Sequence, residues 1–254
     1  MLAFIGRRST AILTTFGRLG LFLADTVRAL ADVRTWGSMV FQQMKRVGVD
    51  SMPISLFIAA FTGLVLALLS SYVITGAVPL YLVGVLVAKT SMLELVPVLT
   101  SLALAGRVGA TMAAELGTMR VTEQVDALET LAYDPYAYLI VPRIVAGTLM
   151  FPVIVAFAIG TAIATGWLAA TTLLPVTNEQ FEYGMKLYFQ PFDIQYGLLK
   201  AASFGFVITL IGCFLGLSTR GGAEGVGTAT TQTVVFSAGI ILVLDAYWAV
   251  TLLR

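Results

Sequence analysis

Long apolar runs separated by short polar stretches dominate the chain. No charged residue occurs in residues 51–88, 144–178, 201–219 or 225–244. An α-helix needs roughly 20 apolar residues to cross a hydrocarbon core of about 30 Å. The first run is too long for one straight span, and the turn-forming sequence Thr-Gly-Ala-Val-Pro at residues 75–79 divides it. The pattern therefore predicts five membrane-spanning helices, near residues 54–74, 80–106, 143–170, 198–218 and 229–253.

The composition agrees with this pattern and narrows the chemistry. Hydrophobic residues make up 58% of the chain and charged residues only 11%, against roughly 25% in soluble domains. We therefore expect an all-α polytopic membrane protein. The chain has no histidine and a single cysteine, Cys213. We therefore expect no metal site, no catalytic residue and no bound cofactor in this chain. The net charge of +1 says nothing about nucleic acid, but no basic cluster interleaves with aromatic residues, so we expect no nucleic-acid partner.

Basic residues are distributed unevenly between the two sides of the predicted spans. If the N-terminus is cytoplasmic, eleven arginines and lysines lie on the inner side and three on the outer side. Loops rich in arginine and lysine favour the cytoplasmic side of a membrane. We therefore expect a cytoplasmic N-terminus, a periplasmic C-terminus, and a cytoplasmic position for the polar segment between spans two and three.

Two stretches outside the spans are amphipathic or aromatic. In residues 1–50, apolar residues recur mostly every three or four positions, with arginines between them. This pattern predicts an amphipathic helix in the inner membrane interface, and a small soluble domain is the alternative. Residues 171–197 form the one sizeable outer segment and are rich in phenylalanine and tyrosine. We expect them to anchor the protein at the membrane surface, and a contact surface for an external partner is compatible with that position.

The polar segment over residues 113–133 is expected to form a short amphipathic helix. Thr122 is a good N-cap, and Glu123 and Asp126 would then lie where the helix dipole favours negative charge. The helix should end before Asp134-Pro135, which are expected to be the cap and first position of the next helix. Such a helix either packs against the ends of the spans or docks a soluble partner, and its periodicity does not decide between the two.

The sequence of residues 106–147 helps to decide between packing against the spans and docking a partner. These residues contain, almost without interruption, the elements GRVG, AELGTM, TEQ, DAL, DP and PR. This run resembles the MlaE/YrbE family of permeases, the membrane subunits of bacterial ABC systems that move phospholipids. The resemblance extends to the amphipathic N-terminal helix, the five spans, the outer segment, and the Leu244-Asp245 pair in the last span.

The resemblance implies that the segment over residues 113–133 is a coupling helix, which docks into a cytoplasmic ATPase dimer. The ATPase would bind the ATP. Contacts with it would come from five charged residues: Glu115, Arg120, Glu123, Asp126 and Glu129. Three apolar residues would hold the helix to the membrane domain: Leu116, Met119 and Leu128.

Three ionisable residues, Lys89, Glu94 and Asp245, lie within predicted spans, where a charge costs several kcal/mol unless it is paired or hydrated. Lys89 and Glu94 are five residues apart and do not share a helix face, so each should meet a cavity or another helix. Lys89 is expected to extend toward the membrane surface, and Asp245 to be paired structurally. Glu94 is compatible with an interhelical hydrogen bond and with a polar point in a substrate cavity. The resemblance implies a lipid pocket lined by Glu94, Tyr72 and Pro97, with Pro97 kinking its helix.

The resemblance also implies a function and partners. The chain would be a permease that moves phospholipids or related lipids between the inner membrane and the outer membrane or periplasm. It would work as a homodimer with a cytoplasmic ABC ATPase, an MCE-domain protein ring outside and, in some systems, a small STAS-type regulatory subunit. The GxxxG pattern of Gly212 and Gly216 would serve either dimerisation or, as we expect, packing within the bundle. The alternative function is an ion- or proton-coupled carrier that uses Glu94, Asp245 and Lys89 as its relay.

Overall fold

The computed structural model describes residues 2–73 and 79–252, which are almost entirely helical. Three π-helical turns, Ser91–Leu95, Ala105–Gly109 and Tyr136–Ile140, and one 3-10 turn, Val49–Ser51, lie between α-helices. The α-helices in these ranges are α1 Leu2–Ala29, α2 Val33–Val47, α3 Met52–Val73, α4 Leu82–Thr90, α5 Val96–Leu104, α6 Ala110–Val121, α7 Gln124–Thr130, α8 Val141–Leu173, α9 Asn178–Leu187, α10 Pro191–Leu217 and α11 Gly222–Leu252.

Five helical segments in the described ranges are long and apolar enough to cross a membrane. This confirms the all-α fold and the number of spans. Several segments are longer than predicted because short turns join neighbouring helices: α2 continues into α3, and α4, α5 and α6 form one segment through two π-helical turns. Spans one to five are Val33–Tyr72, Leu82–Val121, Tyr136–Leu173, Pro191–Leu217 and Gly222–Leu252.

The two ends of the helical bundle differ in chemistry. One end, called here the arginine-rich end, carries α1, α2 and α7 and five arginines: Arg46, Arg107, Arg120, Arg143 and Arg220. The opposite end, called here the aromatic end, carries α9 and four aromatic residues: Tyr183, Tyr188, Phe189 and Phe192. Spans cross from one end to the other, so residues late in α3 and early in α4 both lie near the aromatic end.

The polar segment between spans two and three is not a single helix. Span two continues to Val121, because Leu116 and Met119 extend its packed face. Thr122 ends this helix, with its hydroxyl donating to the Thr118 carbonyl at 2.7 Å, and Glu123 follows with a φ of 60°. The short helix α7, Gln124–Thr130, begins only after this left-handed residue. The prediction of one helix over residues 113–133, with its N-cap at Thr122, is therefore wrong.

Span three begins at Tyr136, before the predicted residue 143, but its helix starts at Asp134-Pro135 as the sequence predicted. The Asp134 carboxylate accepts a hydrogen bond from the Tyr136 amide at 2.8 Å, and the Asp134 carbonyl accepts one from the Tyr138 amide at 3.0 Å. Asp134 thus caps the helix, and Pro135 stands at its first position, where a missing N–H costs nothing.

The outer segment is more helical than the aromatic pattern indicated. A capping box between Thr177 and Gln180 starts α9, and a second box between Gln190 and Asp193 starts α10. Span four therefore begins at Pro191, before the predicted start at residue 198. The two turns that the prediction left out include Asp193, a charged residue that is buried in the structure.

Glycines allow the spans to pack closely. A Cβ at Gly63 of α3 would overlap the Ala162 carbonyl of α8. Gly212 packs against the Gly109 carbonyl, and Gly216 against the side chain of Leu116, so the GxxxG face of span four meets span two of the same chain. This confirms packing within the bundle as the role of that pattern.

The contact at Gly63 predicts a position-specific loss of stability. We expect Gly63→Ala to destabilise the folded chain by about 1–3 kcal/mol, because the added methyl group forces α3 away from α8. Gly160→Ala in α8 is the matched control, since nothing lies within 4 Å of a Cβ there. Thermal unfolding in detergent compares the two variants. Equal unfolding midpoints would contradict the packing described here.

Candidate functional site

Pro97 interrupts the backbone hydrogen bonding of span two. Proline has no N–H, so the Leu93 carbonyl four residues earlier lacks the donor that an α-helix would supply. The π-helical turn Ser91–Leu95 widens the helix immediately before this point. The ammonium of Lys200, from span four, donates to the Leu93 carbonyl at 3.1 Å. A side chain from another helix therefore replaces the missing backbone donor.

Lys200 also joins two carboxylates. It forms an ion pair with Glu94 of span two at 2.7 Å and a second ion pair with Asp245 of span five. We call these three residues the Lys200 triad. Lys200 is fully buried, and its ammonium donates hydrogen bonds to the Leu93 carbonyl and the Glu94 carboxylate and forms an ion pair with Asp245. The triad thus ties together three of the five spans at one point.

Neighbouring residues hold span four in position for this contact. Gly197, one turn before Lys200, leaves no room for a Cβ because the Met92 carbonyl lies against it. The ring of Tyr196 lies 5.1 Å from the Lys200 ammonium and adds a cation–π contact. Glycine at this position therefore allows the lysine to approach the widened turn of span two.

The triad is closed on one side and open on the other. Lys200 is inaccessible and the Asp245 side chain is 15% exposed, but the Glu94 side chain is 42% exposed. One base faces two acids, so the cluster has a formal charge of −1 when all three are ionised. Glu94 thus presents a polar group at the surface of a bundle that is otherwise apolar at this depth.

An apolar groove lies between α3 and span two, and its wall on span two begins at Leu95, one residue after Glu94. The groove has a volume of about 410 Å³, and Leu95 and Leu99 form its wall on the span-two side. The α3 side consists of a stripe of side chains at helical spacing: Phe57, Phe61, Val65 and Leu69. All four are more than half exposed, so nothing in the described chain covers the groove.

Tyr72 lies farther along this stripe and not beside Glu94. Its side chain is 82% exposed in the last turn of α3. The packing clusters show the difference in depth, since Ala59 packs with Met92, whereas Leu66 packs with Val83. Tyr72 is therefore close to the aromatic end, more than two helical turns beyond the level of Glu94. Pro97, in contrast, is buried directly beside the widened turn.

Lys89 forms a second intramembrane ion pair. Its ammonium is 2.7 Å from the Asp193 carboxylate, which also accepts a hydrogen bond from the Gln190 amide at 3.0 Å. Lys89 therefore extends from span two toward the first turn of span four, at the aromatic end. The expectation that Lys89 and Glu94 each meet another helix is confirmed, and both meet span four.

Glu115 differs from the other predicted contacts at the arginine-rich end. Its carboxylate accepts hydrogen bonds from Arg46 and, at 3.3 Å, from the buried Arg143. These ion pairs join α2, α6 and α8. The expectation that Glu115 is a surface contact therefore does not fit the structure, because two arginines of the same chain, one of them buried, already occupy its oxygens.

The remaining predicted contacts surround α7. Leu116 is fully buried, and Met119 and Leu128 pack against the same core cluster, as expected of residues that hold the segment in place. Arg120 forms an ion pair with Asp126 across the break between α6 and α7. Two acids remain exposed without an ion pair in the described chain: Glu123 and Glu129.

Lys200 is the residue that sequence reasoning missed. It was counted among the basic residues of the outer side, because it lies near the predicted start of span four. The available signal was a charge imbalance within the membrane. Glu94 and Asp245 are two acids in apolar helices, and Lys200 is flanked by an uncharged run that begins at residue 201.

The family model described as Permease MlaE matches residues 40–251. The chain belongs to this permease family. A probable ABC transporter permease protein of Rickettsia bellii is 35% identical over 239 residues, covering 94% of this chain and 92% of the relative. A protein of the same description from Synechocystis is 40% identical over 208 residues, covering 81% and 78%.

A third member of the MlaE family extends the comparison. The intermembrane phospholipid transport system permease protein MlaE of Haemophilus influenzae is 33% identical over 242 residues, covering 95% of this chain and 93% of the relative. Family membership and the five apolar helices together identify the chain as a multi-pass membrane permease. The resemblance drawn from residues 106–147 is thereby confirmed.

The triad makes a testable prediction about stability. We expect Lys200→Met to destabilise the chain by about 3–5 kcal/mol, because it leaves two carboxylates and the Leu93 carbonyl without their cation. Adding Glu94→Gln and Asp245→Asn should restore most of this loss. The control is Lys186→Met, which removes an exposed ion pair with Glu182 and should leave stability nearly unchanged. Denaturant titration in mixed micelles measures all three. A loss no larger than that of the control would disprove the proposed energetics.

A double-mutant cycle tests the link between Lys200 and Pro97. Pro97→Ala supplies an N–H that can bond to the Leu93 carbonyl, so one of the three partners of Lys200 no longer depends on it. Lys200→Met should therefore cost about 1 kcal/mol less in the Pro97→Ala background than in the native chain. Strictly additive free energies of unfolding would show that the two residues act independently.

Proposed function

We propose that this chain is the permease subunit of an ATP-driven transporter that moves phospholipids, or related lipids, between the inner membrane and the outer membrane or periplasm. The observation that carries this proposal is that the partly exposed Glu94 directly precedes Leu95, which lines an uncovered apolar groove. A lipid needs both surfaces, since its headgroup is polar and its chains are apolar. Membership of the MlaE permease family and the name of the Haemophilus influenzae relative support the same substrate class.

The lipid pocket is proposed to form between two copies of the chain. The stripe of Phe57, Phe61, Val65 and Leu69 is exposed in the single chain, and Tyr72 continues it toward the aromatic end. A second copy covering the stripe would enclose the groove and leave Glu94 and Pro97 at its inner end. Tyr72 would then line the pocket nearer its outer opening. In this assignment the pocket is a feature of a homodimer.

The polar region around α7 is proposed to dock a cytoplasmic ABC ATPase, which binds the ATP. Glu123 and Glu129 are exposed, and Leu131 and Tyr133 add exposed apolar area on the same turn. The Arg120–Asp126 ion pair would hold α7 against the end of span two. Glu115 belongs to the internal ion-pair network and is left out of this docking surface.

The remaining assignments concern placement and further partners. The arginine-rich end is proposed to face the cytoplasm, and the C-terminus the periplasm, of a bacterial inner membrane. In this arrangement α1 and α2, the amphipathic first part of the span-one segment, lie along the inner interface, and the aromatic end faces an MCE-domain protein ring. A small STAS-type subunit would act on the cytoplasmic side. The chain itself is proposed to hold no cofactor.

An ion-coupled carrier is the second candidate, because the Lys200 triad places three titratable groups inside the membrane. Purification from the native host in mild detergent separates the two candidates. Recovery of an ATPase with the chain supports the ABC permease. Recovery of the chain alone, together with ion-driven uptake in vesicles, would support the carrier.

The docking surface predicts a charge-specific loss of ATPase binding. Glu123→Lys with Glu129→Lys should abolish co-purification of the ATPase, because the substitutions reverse the two exposed charges beside α7. Membrane insertion should be unaffected. Glu179→Lys with Glu182→Lys at the aromatic end provides the control, with the same change of charge on the opposite side. Retention of the ATPase by the first variant would show that α7 is not the docking element.

The pocket predicts where lipid can be captured. A photoreactive amino acid at position 94 should crosslink to phospholipid in intact membranes more than one at position 157, and the product at 94 should decrease when the ATPase is supplied with ATP. Phe157 is 59% exposed on α8 and offers a lipid-facing control outside the groove. Labelling that is equal at both positions and insensitive to ATP would contradict the assignment of Glu94 to the pocket.

A further inference from the structure

Three arginines from separate parts of the chain line one cavity at the arginine-rich end. Arg18 comes from α1, Arg120 from the end of α6, and Arg220 from the connection between α10 and α11. The cavity has a volume of about 400 Å³ and lies at the junction of these elements with the start of span three. It is distinct from the Lys200 triad and from the apolar groove between α3 and span two.

The cavity carries more positive than negative charge. Asp25, the one acid in its lining, lies 3.5 Å from Arg28, and Arg120 is paired with Asp126. Arg18 and Arg220 form no ion pair with the described part of the chain, and both are exposed. The local surplus is therefore two positive charges, and it belongs to two arginines from different elements.

Aromatic and leucine side chains form one part of the cavity lining, which also includes Ser218 and Thr219. Phe22 of α1 contacts Tyr136 and Phe214, with ring centroids 5.7 and 5.5 Å apart, and these rings close the inner side. Leu21 and Leu217 extend the apolar surface to the opening, where Leu21 is 68% exposed. A ligand that suits this lining has an anionic group for the arginines and an apolar part for the leucines.

We propose that this arginine cavity binds the phosphate group of an anionic phospholipid. Arginine forms paired hydrogen bonds with phosphate oxygens, and two guanidinium groups can share one phosphate. A free phosphate ion would satisfy the arginines but not the aromatic and leucine side chains. Because Arg18 and Arg220 lie on different elements, the bound lipid would link α1 to the rest of the bundle.

Lipid binding to the purified full-length chain tests the proposal. Native mass spectrometry in detergent, with added dioleoylphosphatidylglycerol or dioleoylphosphatidylcholine, measures the affinity for each lipid. We expect the anionic lipid to bind about tenfold more tightly, as one or two charge-assisted contacts would give. Arg18→Gln with Arg220→Gln should remove this preference. Arg34→Gln with Lys45→Gln, which removes two exposed charges of α2 outside the cavity, should preserve it.

Two further measurements distinguish a loss of lipid binding from a loss of folding, and lipid binding from binding of free phosphate. The single variants Arg18→Gln and Arg220→Gln should each weaken binding of the anionic lipid, so the test does not depend on folding of the double variant. Inorganic phosphate alone should leave the thermal unfolding midpoint of the native chain unchanged, whereas phosphatidylglycerol should raise it. Equal binding of the two lipids, an unchanged preference in the arginine variants, or an equal effect of inorganic phosphate would overturn the proposal.

Discussion

The hydrogen bond from the Lys200 ammonium to the Leu93 carbonyl determines much of the arrangement of the spans. Pro97 removes a backbone donor inside span two, and in a membrane no water can replace it. A buried lysine supplies that donor but brings a charge, which needs a carboxylate beside it, and the structure provides two. These come from span two and span five, while Gly197 lets span four approach. One missing N–H is thus offset by contacts that fix three spans relative to one another.

The number and type of the elements could be predicted from the sequence because each depends on local composition. Uncharged runs define spans, and Asp134-Pro135 defines a helix start. The outcome at Thr122 could not be predicted in this way. Its neighbours favour a cap locally, but packing of Leu116 and Met119 on the core continues span two through that point. Glu115 likewise looks solvent-facing until α2 and α8 bring Arg46 and Arg143 to it.

The candidate site was predicted only in part, because it too depends on contacts between segments that are distant in the sequence. Glu94, Pro97 and Asp245 stand out in the sequence because polar groups and proline are unusual in apolar helices. Their common partner, Lys200, stands at the edge of a predicted span, where lysine is ordinary. Only the close contact of span four with the widened turn shows that this lysine is buried.

Span two also carries both Glu94 and Arg120, so one helical segment reaches from the proposed pocket to the proposed docking surface.

The central claim is that a charged Lys200 bridges Glu94 and Asp245 inside the membrane. Solid-state NMR of the full chain in lipid bilayers tests it most directly, with ¹⁵N-labelled lysine and ¹³C-labelled aspartate and glutamate. A Lys200→Met sample identifies the lysine signal by its disappearance. The account predicts an ammonium shift for Lys200 and distances below about 4 Å from its Nζ to both carboxyl carbons. A Lys200 signal with no contact to either carboxyl carbon would contradict it.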